Sequence, residues 1–177
     1  MKRNIFFEHS IFLHQKTGGI SKYIFNLNKY LNKKKFRSLI YSPITINYNL
    51  ENKNKNNIFY IRFKKIPIFF TKIFYAINNI LTLIKIVFFK PDIFHYSYYN
   101  NFFLRVVNKP SVLTVYDLIH ERLITKNYKF YKVKLLKKVN KIICISNQTK
   151  KDLIKYYNVS AKKISVIYLG INQKIIK

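Results

Sequence analysis

The sequence predicts an α/β domain: a mostly parallel sheet with helices on both faces. Two observations carry this. Short apolar runs of strand length alternate with longer segments of helical period along the whole chain, which is the pattern of βαβ units. The run Val112, Leu113, Val115 and Leu118 is nearly continuous rather than strictly alternating, as expected of a strand covered on both faces. At 177 residues, 49% of them apolar, the chain can bury one sizeable core and is not disordered.

Taken in order, Asn4 to Phe7 reads as a first strand that ends at Glu8 and His9, and Ser10 to Thr17 as a loop. Gly18 and Gly19 follow, two of only three glycines in the chain. Such a pair permits positive φ and lets a ligand approach exposed backbone N–H groups; the alternative is an ordinary tight turn. From Ser21 to Lys34 the apolar positions Ile24, Leu27 and Leu31 share a face, with lysines opposite, so a surface helix is predicted. Ser38 to Tyr41 and Ile58 to Phe63 are the next strands, separated by an Asn/Lys-rich loop from Asn47 to Asn57.

Pro67 to Lys90 is the most apolar stretch, yet Asn78, Asn79 and Lys85 interrupt it, which argues against a span of about 20 apolar residues. Ile73, Ile77, Ile80, Ile84 and Val87 share one face, with Asn78, Thr82 and Lys85 roughly opposite. The first reading is a core helix with that isoleucine face inward; the second is a helix resting on lipid. Pro91 ends it, and Asp92 to Tyr96 forms another strand carrying His95. After the strand that begins near Val112, Tyr128, Tyr131, Leu135 and Val139 mark a helix with Lys129, Lys132, Lys134, Lys137 and Lys138 outward. Lys141 to Ile145 is a strand, Ser146 an N-cap, Asn147 to Tyr157 a helix and Lys163 to Leu169 the last strand, closed by Gly170.

The net charge of +28 favours anionic partners. No RNA-binding aromatic motif or zinc-finger spacing accompanies it, so nucleic acid is not expected, and an anionic membrane surface or anionic substrate is the better match. Cys144 is the only cysteine, which leaves no disulfide framework and no Cys-based metal site. The opening MKRNIFFEHS has too short an apolar core for a signal peptide, so the expectation is a cytoplasmic protein, peripheral at the inner face of the membrane if it meets lipid. Asp117, His120 and Glu121 cluster after the Val112 strand in a chain with only six acids and four histidines. They either line a ligand cleft at the strand's carboxyl end or pair with lysines and cap a turn.

Four segments share features with a known family. They are Gly18-Gly19-Ile20 before a helix, PDIFHYSYY from Pro91, VLTVYDLIHE from Val112, and IICISNQTKKDLIKYYNVSAKKISVIYLGI from Ile142 to Ile171. Together they resemble the N-terminal, acceptor-side domain of a family 4 glycosyltransferase of the retaining GT-B class. The resemblance implies one Rossmann-like domain over residues 1–171, an interdomain linker opening at 172–177, and no counterpart of the donor domain. It implies a hexosyltransferase-type enzyme that moves a sugar from a nucleotide-sugar to a glycan or lipid-linked acceptor in cell-surface polysaccharide synthesis, with neither cofactor nor metal. Gly18 and Gly19 would lie against the donor diphosphate. His95 and Tyr116 would line the acceptor side, with Asp117, His120 and Glu121 in the cleft. Relatives commonly carry His where this chain has Tyr116. One wall of a cleft cannot hold a donor in reacting geometry, so the 177-residue polypeptide alone is expected to be inactive. The rival expectation is a non-catalytic, lysine-rich domain that binds a membrane surface.

Overall fold

A computed structural model of the chain describes residues 2–50, 58–119, 121 and 129–170, with 129–131 described in backbone only. Its strands are β1 (Arg3–Phe7), β2 (Phe36–Thr45), β3 (Ile58–Arg62), β4 (Ile93–Tyr96), β5 (Ser111–Val115), β6 (Lys141–Cys144) and β7 (Ile164–Val166). The helices are α1 (Ser10–His14), α2 (Gly19–Lys33), α3 (Thr71–Phe89), α4 (Phe103–Val106), α5 (Lys129–Lys138) and α6 (Asn147–Tyr157). The strands form a parallel sheet in the order β3-β2-β1-β4-β5-β6-β7, a Rossmann-like α/β fold as the alternation predicts. The chain divides into two compact units, Met1–Val112 and Leu113–Lys177.

In the first unit β1 is central: Phe7 is in register with Ile40 of β2 on one side and with His95 of β4 on the other. The chain builds outward from β1 through β2 to β3, then returns to add β4 on β1's other edge. That reversal makes a topological switch point between β1 and β4, and open α/β sheets bind ligands at the carboxyl ends of such strands. Phe7, Phe12, Ile24, Ile40 and Leu50 fill the core beneath it. The segment expected to be a loop after β1 contains the one-turn α1, because a helical turn buries Ile11, Phe12 and Leu13 together.

The largest departure from expectation is α3, which is turned over: Asn78, Asn79 and Thr82 are buried, while Ile73, Ile77, Ile80, Ile84 and Val87 face outward. The cause lies in β2. Pro43 has no N–H to give to the ladder, and the β2–β3 register shifts between Ser42 and Ile44, a bulge that diverts the backbone of Ile44. The Asn78 amide satisfies both groups: the Ile44 N–H donates to Asn78 Oδ1 and Asn78 Nδ2 donates to the Ile44 carbonyl, each at 2.8 Å. Asn79 Oδ1 accepts from Asn100 Nδ2 at 3.0 Å, and Thr82 Oγ1 lies 3.2 Å from His9 Nδ1. A buried backbone pair without partners is costly, so polar complementarity to the bulge overrides the isoleucine stripe. Asn78→Ala strands both Ile44 groups, and urea titration is expected to show a loss of about 2–5 kcal/mol. Ile80→Ser on the outward face is expected to stay within about 0.5 kcal/mol of the parent.

In the second unit, Ile142 and Cys144 of β6 pair with Ile164 and Val166 of β7. Leu135, Leu136, Val139, Ile142 and Leu153 are fully buried. Ser146 caps α6 as expected, its hydroxyl accepting from the Thr149 N–H at 3.0 Å. Lys132, expected to point outward, is buried. It shares the Leu135, Leu136, Val139 stripe at helical spacing, so the periodicity of α5 itself places it inward.

Candidate functional site

At the switch point the carboxyl end of β1 is organised by Glu8, which is fully buried. Its Oε1 accepts from Ser97 N (2.8 Å), Ser97 Oγ (2.8 Å) and Tyr98 N (3.2 Å). Its Oε2 accepts from Ser10 N (2.9 Å) and Ser10 Oγ (2.5 Å). Burial pushes this carboxyl above its ordinary value, and the hydrogen bonds from Ser10, Ser97 and Tyr98 only partly oppose that. Glu8 thus ties the start of α1 to the turn after β4 and fixes the floor of the crevice. Sequence reasoning saw Glu8 only as the end of a strand. The available signal was an acid directly after the first apolar run, in a chain with few acids.

Gly18 and Gly19 follow that floor. Gly18 is extended (φ 170°) and neither glycine takes positive φ, so the backbone freedom invoked from sequence is unused. What the pair supplies is room. A Cβ on Gly19 would meet no atom within 4 Å, whereas one on Gly18 would press on the Gln15 side chain at 2.4 Å. The Gly18 carbonyl accepts from Lys22 N, Ser21 Oγ and Asn49 Nδ2, each at 3.1 Å. Among the described residues no side chain caps α2, and no acid lies in its first turn. A long helix therefore begins with its N–H groups beside an open, side-chain-free position, a geometry suited to an anion.

Two histidines of this unit, His9 and His95, belong to the interior. His95, expected on the acceptor side, is buried on β4 with its ring 4.9 Å from that of Phe7. Both faces of β4 are covered, so alternation does not turn His95 outward. Burial lowers its pKa to about 4. His9 is also fully buried, and burial, helped by the charge of His14, lowers it to about 3. Both rings are neutral at physiological pH.

In the second unit the carboxyl end of β5 opens onto a cleft of ≈ 210 Å³ lined by Tyr116, Asp117, Ser146, Gln148, Thr149 and Asp152, among others. Asp117 is exposed, its Oδ1 accepting from Ile119 N at 3.3 Å. Asp152 Oδ1 accepts from Gln148 Nε2 at 2.9 Å, and Thr149 Oγ1 donates to the Tyr116 carbonyl at 3.1 Å. Carboxylates and amides at this spacing suit the hydroxyl groups of a neutral ligand and repel phosphate.

Glu121 is placed differently. Its carboxylate is buried, and Oε1 accepts from Lys132 Nζ (2.7 Å) and Tyr157 Oη (2.5 Å). Burial raises its pKa, but the Lys132 and Tyr157 hydrogen bonds and the ammonium charge outweigh that and hold it below the carboxylate range. Of the two sequence readings, the lysine pair describes this residue's contacts, since a side chain committed to Lys132 and Tyr157 is not on the open rim. His120 lies outside the described residues. Cys144 is buried and raised to about 11 by that burial, an inert thiol.

Comparison with known proteins follows this geometry. The Glycosyltransferase Family 4 profile matches residues 17–174. A glycosyltransferase from Rickettsia africae ESF-5 superposes with TM-score 0.60 at 20% identity, over 98% of this chain and 44% of that one. A sucrose-phosphate synthase from Thermosynechococcus elongatus superposes with TM-score 0.72 at 13% identity, over 99% and 50%. Anabaena HepE, solved in complex with UDP and glucose, gives 0.64 at 15% identity, over 99% and 46%. The chain thus spans about half the length of these proteins, and at such identities the likeness is one of fold. A 124-residue match at 36% identity to the Plasmodium falciparum DNA-directed RNA polymerase subunit beta'' covers 12% of that protein and carries no argument. With the profile matching nearly its whole length, the chain belongs to Glycosyltransferase Family 4.

Proposed function

We propose that this chain supplies the acceptor side of a sugar-transfer site: a sugar passes from a nucleotide-sugar to a hydroxyl of a glycan or lipid-linked acceptor in cell-surface polysaccharide synthesis. In this reading residues 1–171 are the N-terminal domain, 172–177 open an interdomain linker, and a second domain provides the donor wall. The enzyme works in the cytoplasm. The observation that supports the reading is the start of α2, where, among the described residues, no side chain caps the helix and the Cβ position of Gly19 faces open space. Such an end favours the negative charge that builds on a departing nucleoside diphosphate. Taken by itself, the 116–152 cleft of the second unit offers Asp117 and Asp152 as acceptors for sugar hydroxyls. The UDP and glucose of the HepE complex make a hexosyl-nucleotide the first donor to try.

Gly19 offers a clean test, because a methyl there meets no atom of the described residues within 4 Å. Gly19→Ala is expected to leave the melting temperature unchanged or raise it, since alanine suits a helix better by roughly 1 kcal/mol. The same change is expected to raise the KM for the nucleotide-sugar at least ~10-fold in the active two-domain assembly, because the added Cβ keeps a phosphate from the helix end. An unchanged KM would remove the diphosphate from this position.

A further inference from the structure

We propose that the outward face of α3, with the turn before it, docks on the surface of an anionic lipid bilayer. The inverted packing of α3 leaves a row of large apolar side chains exposed. Phe69 is 83% exposed, Ile80 57% and Phe88 77%, while Asn78 on the opposite side is fully buried. The surface does not stop at the helix. Phe63 packs on Phe74 with ring centres 5.6 Å apart, and Phe59 of β3 stacks on Tyr41 at 5.2 Å, where Lys85 of α3 lies 5.9 Å above the Tyr41 ring. The exposed apolar face therefore continues from α3 onto β3, the edge strand of the sheet. Contiguous apolar surface of this kind marks an interaction site.

Charge identifies the occupant. Between residues 58 and 91 there is no Asp or Glu, and the cations are Arg62, Lys64, Lys65, Lys72, Lys85 and Lys90. Lys64, Lys65, Lys72 and Lys90 are exposed at the margins of the apolar row. A second copy of this chain would bring one cationic rim against another. An anionic bilayer accepts both features: headgroups neutralise the lysines, whose stems extend along the apolar surface, and acyl chains receive the Ile and Phe side chains. The segment Ile68–Phe89, 22 residues, is long and apolar enough to cross a membrane. The hydrogen bonds of Asn78 to Ile44 hold it against the sheet, so the helix lies on the bilayer and does not pass through it.

The chain contains no Trp, so Phe88→Trp makes a single reporter on the proposed face. With vesicles of phosphatidylcholine plus roughly 30 mol% phosphatidylglycerol, its emission is expected to shift to shorter wavelength and to be quenched by brominated acyl chains. Partition is expected to fall with added salt and to be at least ~10-fold weaker on phosphatidylcholine alone. The pair Ile80→Ser/Phe88→Ser is expected to weaken partition of the full chain at least ~10-fold without moving its melting temperature. If that pair melts early, Phe69→Ser in the preceding turn gives the same reading outside the helix. An unquenched tryptophan, partition indifferent to the serine substitutions, or no partition with a dimer that the serines dissociate would each overturn the proposal. Partition is read without sugar transfer, so it stands or falls independently of the catalytic reading.

Discussion

Lowering the pH from 6.5 to 4 destabilises this fold by on the order of 5 kcal/mol, seen as a falling urea midpoint at constant m. The source is two buried neutral imidazoles. His9 and His95 have folded pKa values of about 3 and about 4, against 6.5 for a free ring. A depressed folded value means that the unfolded chain binds more protons as the pH drops. The stability these rings contribute is therefore complete above pH 6.5 and is lost as the pH falls through 4 and then 3. Each buried ring contributes a slope of about 1.4 kcal/mol per pH unit in that window. Glu8 acts in the opposite sense: its raised pKa gives stability that is full below 4.5 and declines as the pH rises, so it moderates the acid loss. His95→Gln is expected to remove about half of the slope between pH 6.5 and 4. Equal slopes in parent and variant would mean that His95 is already open to protons in the folded chain.

Removing the Glu121 carboxylate is the most damaging single change expected in the second unit. Glu121→Leu leaves the buried Lys132 ammonium without its ion pair and takes the acceptor from the Tyr157 hydroxyl. Breaking one side of a buried pair typically costs about 3–5 kcal/mol, which is much of a small domain's total stability. Because the penalty comes from an uncompensated charge, Glu121→Leu with Lys132→Met is expected to recover most of it. Denaturant titration of the two single variants and the double variant closes the cycle. If the double variant is as weak as the sum of the singles, the contact is ordinary packing.

The alternation of strands and helices was legible because it depends on local periodicity, and so were the Ser146 cap and the buried Cys144. What failed was the choice of face. The isoleucine stripe of α3 was assigned inward on the rule that apolar residues seek the core. That rule does not register that Pro43 bulges β2 far earlier in the chain and leaves Ile44, 34 positions before Asn78, in need of an amide. The family resemblance puts His95 on the acceptor side, whereas its side chain is buried on β4, which is covered on both sides. Glu121 was grouped with Asp117 by proximity in sequence, but its contacts come from Lys132 and Tyr157 on two later helices. The pattern of β and α does not reveal strand order either, so the reversal that makes Glu8 and Ser97 neighbours was not visible. Chain separation is the common cause: periodicity reports on neighbours, and these contacts join distant segments.

The bracket between Asn78 and Ile44 also bears on how the polypeptide is made. Ile44 precedes Asn78 by 34 positions, so β2 leaves the ribosome before the greasy segment does. The strand that needs the amide is therefore made before the helix that supplies it. Without Asn78 the apolar segment would lose the two hydrogen bonds that distinguish a helix held on its sheet from a free helix of spanning length.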